Sequence, residues 1–398
     1  MSQQKTSLEG KRIAFFHQSS DMYGSDKILL YLAQGVQQLG GQPVVLLPDT
    51  GPLTVELQAR SIEFHTVPML KLSRARFSPK GMLGLLREMR SAKSAYDDVF
   101  QGRKVDLVHS NTIAVLGGAM WARSHRIPHL WHVHEIIEHP WFVARLFPLL
   151  LRLFADQVVC NSRATYEWLF SAQASLQKKM RVIWNGILAP ELSDASAIAD
   201  MRQRFRPTAE RLSIGLVGRI NRWKGQGLLM EAVEILHAKG LCDFSVVFMG
   251  SAPPGQAFFE TELRERIARS PMREHVFIQD FSRDIWPAYA ALDIVCVPST
   301  EPEPFGLVAT EAMAAGRPVV ASRFGGLTEI VQDGITGLSF EPRDAEALAN
   351  ALEQLLRDDG LRERMGQAGK ARFAAEFSVN RMMERFGQLY FDMVGGKE

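Results

Sequence analysis

Pro298-Ser-Thr-Glu-Pro-Glu-Pro-Phe-Gly-Leu-Val-Ala-Thr-Glu-Ala-Met-Ala-Ala-Gly316 is the stretch from which the architecture can be read. The apolar run Ile294–Pro298 before it has the composition of a strand, and Pro318–Ala321 after it has the same. Pro302 and Pro304 exclude helix until about Phe305–Leu307, because each lacks a donor and forces its predecessor out of the helical region. The segment therefore reads as strand, loop, helix, strand. Strands apolar on both faces that alternate with helices predict a parallel sheet covered on each side.

The alternation extends outward in both directions. Runs at Arg12–Phe16, Pro43–Leu47, Val105–His109, His129–Val133, Gln157–Cys160 and Arg181–Trp184 fill the first half. Leu212–Val217, Phe244–Met249, Val276–Gln279 and Gly337–Phe340 join the two already named in the second. Two doubly wound domains fit this better than one eight-stranded barrel, which predicts a single more regular series. The boundaries expected are a first domain over 1–190, a Pro-, Ser- and charge-rich linker over 191–211 and a second domain over 212–377. An amphipathic helix over 378–398 then crosses back onto the first domain.

Composition excludes several classes. Apolar residues make up 46% and charged residues 23%, the balance of a globular enzyme. A net charge of +2 argues against a nucleic-acid partner. Cys160, Cys242 and Cys296 are far apart and beside apolar runs, which fits buried thiols in a reducing cytoplasm. The polar start MSQQKTSLEGKR reads as neither signal peptide nor anchor. Trp141–Ala155, broken by Arg145, Pro148 and Arg152, is too short and too charged to span a bilayer.

Within the opening stretch, the free N–H groups of the helix start suit a diphosphate, and Gly306 permits close approach. Glu311, one turn in, suits the two hydroxyls of a ribose; Glu303, ahead of the helix, suits a sugar. The alternative is a proline-stiffened loop with solvated carboxylates. Spacing and context favour the former, since Glu303-Pro-Phe-Gly-Leu-Val-Ala-Thr-Glu311 resembles the E-x7-E signature of the family 4 glycosyltransferases. Gly218-Arg219 and Lys224-Gly225 resemble that family's G-R-x4-K-G donor-phosphate motif. Gly250, Asp293, Arg317-Pro-Val-Val-Ala-Ser322 and Gly325-Gly-Leu-Thr-Glu329 fall where the family has its landmarks. In the first half, Met22-Tyr23-Gly24-Ser25 resembles the family's small-residue loop near donor phosphate, with serine where many relatives have a second glycine. His134 of Trp131-His-Val-His134-Glu135 matches the histidine that contacts the donor sugar.

The resemblance implies an α/β chain of the GT-B type, with two facing Rossmann-like domains and a cleft between them. It further implies a retaining transfer of a hexose from a UDP- or GDP-linked donor. The donor site would comprise Gly24, Ser25, Arg219, Lys224, Phe305, Gly306, Leu307 and Glu311, with His134, Glu303, Arg219 and Lys224 as catalytic residues. The fixed cations Arg219 and Lys224 would stabilise charge developing on the leaving diphosphate. No Asp-x-Asp triplet is present, so no metal and no cofactor are expected. His132, His134 and His139 invite a metal reading, but His139 lies beyond a turn.

The acceptor is read as a glycan or lipid-linked glycan in polysaccharide or lipopolysaccharide assembly. Residues 71–104 carry nine basic against three acidic side chains, interleaved with apolar ones. This predicts either a peripheral contact with an anionic membrane or a helix with a solvated basic face. Two rivals remain, a nucleotide-sugar epimerase of the same fold and a non-catalytic sugar-nucleotide binder. A dinucleotide oxidoreductase is disfavoured, because neither Gly215-Leu-Val-Gly218 nor Gly225-Gln-Gly227 fits G-x-G-x-x-G.

Overall fold

A computed structural model describes residues 7–70, 79–190, 194–205, 208, 211–253, 255–280 and 284–395; for 79–89 it describes the backbone course only. The chain divides into two compact units, 1–186 with 379–398, and 187–378.

The first unit holds a seven-stranded, all-parallel sheet. Its strands are β1 Arg12–His17, β2 Gln42–Leu47, β3 Glu63–Thr66, β4 Leu107–Asn111, β5 His129–Val133, β6 Gln157–Cys160 and β7 Met180–Val182, ordered β3-β2-β1-β4-β5-β6-β7. Period-two alternation sorts the faces of β1. Ala14 and Phe16 join a core with Val44, Val108, Tyr96 and Trp121. Phe15 turns the other way, with its ring 6.4 Å from that of Tyr390 on the last helix, Val379–Gly395. That helix buries Met382, Phe386, Leu389 and Tyr390 within this unit. β3 escapes a search for apolar runs because Glu-Phe-His-Thr is a short, half-exposed edge strand.

The second unit has a six-stranded parallel sheet: β8 Leu212–Val217, β9 Phe244–Met249, β10 Val276–Gln279, β11 Ile294–Val297, β12 Val319–Ser322 and β13 Gly337–Phe340, in the order β10-β9-β8-β11-β12-β13. Ile214, Leu216, Phe244, Val246 and Phe248 meet Leu229, Val233, Leu348 and Leu352 in one core. The stretch read as a linker carries a helix, Ala195–Phe205, whose Phe205 is buried; its polar surface had masked the helical period.

In each sheet the strand order reverses once, at β1/β4 and at β8/β11. At such a switch point the loops leaving two adjacent carboxyl ends diverge, and the crevice they leave is where open α/β sheets bind ligands. Both constellations below sit there. Cys160 and Cys296 are buried, and burial pushes both thiols up. Among the described residues no helix is long and apolar enough to cross a membrane.

Candidate functional site

In the second unit, β8 ends at Val217 and runs through Gly218-Arg219 to Gly225, the N-cap of the helix Gln226–Ala238. β11 ends at Val297 and runs through the quoted loop to Gly306, the N-cap of the helix Leu307–Ala314. Both caps are left-handed, at φ +80° and +111°. Glycine has no side chain with which to satisfy the first N–H groups of a helix. Elsewhere in the unit, Asp344 and Asp358 cap their helices through side-chain oxygens. Two helix starts lacking a capping side chain therefore lie side by side at the switch point, a setting suited to an anion.

Backbone contact locks the two loops together. A Cβ on Gly225 would lie 1.9 Å from the Pro298 carbonyl oxygen, and the Thr300 N–H donates to the Trp223 carbonyl at 2.9 Å. Asn221 Oδ1 accepts the Lys224 N–H at 3.0 Å, and Lys224 Nζ lies 4.8 Å from the Trp223 ring centre. The result brings two predicted residues into direct contact: Lys224 Nζ donates to Glu303 Oε1 at 2.5 Å, with the side chains 16% and 6% exposed. Ser299 Oγ donates to the same oxygen at 2.6 Å. Behind Glu303, a third loop closes in, where a Cβ on Gly325 would meet the Glu303 carbonyl oxygen at 2.3 Å and the Gly326 N–H donates to it at 2.7 Å.

Glu311 is also buried and accepts from the Tyr289 hydroxyl at 2.8 Å. Burial, then the Glu311 charge, push that phenol well above its ordinary range. The alternative of solvated carboxylates fails here, since a buried carboxylate is costly unless partnered. Phe305 is buried edge-on to Phe377, Leu307 is the first residue of its helix, and Arg219 stands exposed beyond β8. Asp293 and Arg317 do structural work instead. Asp293 accepts from the Ser213 N–H at 2.8 Å at the opposite end of the sheet, and Arg317 donates to the Ala290 carbonyl at 2.8 Å. The sequence places backbone contacts to a base in the loop after Gln279, near Asp280–Ser282, of which residues 281–282 lie outside the described residues.

The first unit carries a second constellation. Gly24 and Ser25 open the helix Gly24–Gln38, and neither has positive φ, so serine in place of glycine costs no backbone strain there. His134 lies just past β5, and its Nε2 is 2.9 Å from Asn111 Oδ1; Asn111 Nδ2 donates to the Ser25 carbonyl at 3.1 Å. Asn111 thus joins two predicted residues. Burial, then the charge of His17, push His134 down to about 3. Glu135 Oε2 accepts the N–H groups of His134 and Ile113 at 3.0 and 3.2 Å, and burial pushes its carboxyl up to about 7. His132 is buried, its ring centre 3.9 Å from that of His134. His109, which the sequence assigned no role, is fully buried, with Nδ1 2.8 Å from the Tyr390 hydroxyl. His139 is exposed, and among the described residues no three His, Cys, Asp or Glu side chains are grouped to hold a metal.

Ser299, Tyr289, Asn111, His17 and Asp26 were not singled out from sequence. Ser299 lay in the quoted stretch, but a serine there carries no signal without the geometry.

Comparison with known proteins follows the same division. The family model for glycosyl transferases group 1 matches residues 198–372, and that for glycosyltransferase family 4 matches 23–188. D-inositol 3-phosphate glycosyltransferase of Xylanimonas cellulosilytica is 31% identical over 244 residues, covering 59% of this chain and 57% of that one. Sulfoquinovosyl transferase SQD2 of Arabidopsis thaliana is 29% identical over 284 residues, 67% of this chain and 53% of the other. The chain thus spans about half the length of these curated relatives. Among solved structures, Anabaena HepE, crystallised with UDP and glucose and with UDP-glucose, superposes with a TM-score of 0.80 at 26% identity, covering 95% of this chain and 98% of that one.

Proposed function

The chain belongs to glycosyltransferase family 4 and has its GT-B fold, and we propose that it is a retaining, metal-independent hexosyltransferase using a nucleotide-sugar donor. One observation carries the reading: the pair of half-buried Lys224 and buried Glu303, set between two glycine-led helix starts at the switch point. A diphosphate laid across those starts gains charge as the sugar departs, and a preorganised ammonium stabilises that charge more than the ground state. Arg219 adds a second cation. Glu303 orients the sugar and Glu311 takes the ribose hydroxyls. With Glu303 engaged by Lys224 and Ser299, the leaving phosphate oxygen is the group that takes the acceptor's proton, on the face it leaves. The UDP and UDP-glucose complexes of HepE support a uridine donor.

Thermal stability with millimolar UDP, GDP, ADP, CMP or dTDP, with and without EDTA, tests this. One nucleotide, UDP first, is expected to stabilise the chain in EDTA; at a hundred times its Kd it adds about 2.7 kcal/mol. Glu311→Ala should remove the shift. A shift that requires divalent metal overturns metal independence, and no shift with any nucleotide overturns the donor site.

The acceptor is proposed to be a glycan or lipid-linked glycan of cell-surface polysaccharide or lipopolysaccharide assembly, met at an anionic membrane. Support for a membrane surface comes less from 71–104 than from elsewhere. Residues 71–78 and the side chains to 89 lie outside the described residues, and Lys93, Arg103 and Lys104 are paired with Asp97, Glu63 and Asp106. The helix Trp141–Phe154 exposes Trp141, Phe142, Leu149 and Leu153 beside Arg145 and Arg152, and contains no acidic residue. An apolar stripe flanked by arginines suits an anionic lipid interface. Flotation with phosphatidylglycerol vesicles should recover the chain, and the combined change of Trp141, Leu149 and Leu153 to serine should abolish recovery. Equal recovery of both proteins removes this surface from consideration.

A further inference from the structure

The groove of the first unit that receives the last helix, Val379–Gly395, is lined in part by histidine. Phe15, His109 and His132 come from the adjacent strands β1, β4 and β5. The His109 ring lies nearly parallel to that of Phe386, with centres 6.0 Å apart at 22°, and its Nδ1 is 2.8 Å from the Tyr390 hydroxyl. The His132 ring lies 5.0 Å from the same phenylalanine. Phe386 and Tyr390 are one turn apart and share a helix face, and both of them and both histidines are fully buried. This helix supplies all of the first unit that lies beyond Gly186.

Unlike phenylalanine, an imidazole in such a seat can acquire a proton. Among the described residues His132 has no hydrogen-bond partner at either ring nitrogen, and His109 has none at Nε2. An imidazolium there would carry N–H donors with nothing to accept them, in a setting where a buried charge is costly. Burial, then repulsion from His134 and His109, holds His132 well below its ordinary value; burial, then His134, His129 and His17, does the same to His109. The nearby carboxylates are turned to other groups. Asp26 Oδ1 lies 2.7 Å from His17 Nε2, whose Nδ1 is 2.9 Å from the Asn111 carbonyl oxygen; Asp156 and Glu135 accept the backbone N–H groups of His129 and His134. On the helix itself, Glu384 pairs with Arg381, Asp392 accepts from Gln388, and Arg385 lies over the Trp184 ring.

The geometry points to an acid-sensitive latch: the last helix is seated on His109 and His132 only while both are neutral, so that mild acid releases it from its groove. Once the helix lifts away, the two rings meet water and regain an ordinary affinity for protons, with a pKa of about 6.5. Docking is therefore at full strength above about pH 6.5 and weakens as the pH falls through that value, because the released state then binds protons that the docked state refuses. Each histidine multiplies the released population about tenfold one pH unit below that point, and two multiply it about a hundredfold. Release exposes Met382, Phe386, Leu389 and Tyr390 of the helix and uncovers Phe15 beneath it.

Hydrogen exchange of the full chain, read on peptides from the last helix and corrected for intrinsic rates, tests the latch. Protection of Val379–Gly395 should fall about a hundredfold between about pH 7.5 and about pH 5.5, while the amides of β6 in the same unit keep theirs. Unchanged protection of the helix overturns the proposal. So does an equal fall in β6, which would mean that acid loosens the whole unit. His132→Phe forfeits no hydrogen bond and should cut the fall to about tenfold. His109→Asn keeps a polar atom toward the Tyr390 hydroxyl and should do likewise, and the double variant should show almost no fall. An undiminished fall in the variants places the acid response elsewhere and overturns the latch. Should His109→Asn loosen the helix at neutral pH as well, His132→Phe decides the matter alone.

Discussion

Glu303→Gln should lower kcat by roughly 10²–10³-fold while leaving nucleotide affinity unchanged or tighter. The substitution keeps the shape and an oxygen for Ser299 and Lys224 to donate to, but removes the charge that neutralises the ammonium. A half-buried cation released from its carboxylate is more available to a diphosphate, so binding of UDP is expected to hold or improve. Turnover falls because the sugar has lost the group that orients it, and because Lys224, no longer held by an ion pair, is free to move from where charge develops. Stability reports on the same pair. Removing one partner of a buried ion pair costs about 3–5 kcal/mol, and an amide that still hydrogen-bonds should cost less. Isothermal titration with UDP, initial rates and a melting curve on the same preparation separate the terms. Parallel losses in affinity and turnover would make Glu303 a binding residue, and a product of inverted anomeric configuration by NMR would dispose of same-face displacement.

The second large effect is expected at a residue that touches no substrate. Gly225→Ala should destabilise the second unit by about 3 kcal/mol or more, combining a left-handed backbone with a forced separation of two loops. The Cβ would sit 1.9 Å from the Pro298 carbonyl oxygen at φ +80°, so the two loops would have to part. That separation would also pull Lys224 from Glu303, and activity should fall with stability. Gly227→Ala, two residues on, is the matched control. Its Cβ meets nothing within 4 Å, its φ is ordinary, and it lies in a helix, where alanine is favoured by up to about 1 kcal/mol. Thermal melts should show a large loss for the first and little change or a gain for the second. Two similar melts would mean that the loops are not held by this contact.

What the sequence disclosed follows a physical rule. Buried parallel strands announce themselves because both faces are apolar, as in β8, β9, β11 and β12; β3, whose edge carries glutamate, histidine and threonine, did not. The site was legible where proline and glycine restrict the backbone, as in Glu303-Pro-Phe-Gly306, because those residues carry conformational meaning on their own. It was illegible where meaning arises only from contact across the sheet. Asn111 and His17 lie 94 positions apart, and Tyr289 reaches Glu311 across 22. His109 carried no signal for the same reason, since its partner Tyr390 lies 281 positions away.

The last helix also bears on how the polypeptide comes into being. Residues 187–378 form the second unit without a break, whereas the first is assembled from both ends of the chain. On Gly35 a Cβ would lie within 2.3 Å of Met383, and Tyr390 closes over Phe15 and His109, so the groove is cut to fit that helix. During synthesis the apolar face that receives it must wait while some two hundred further residues are added, on the order of 10–40 s at ordinary translation rates. The second unit can finish folding in that interval. The order of maturation is therefore the reverse of the order of translation, and the first half of the message encodes the part of the protein that is completed last.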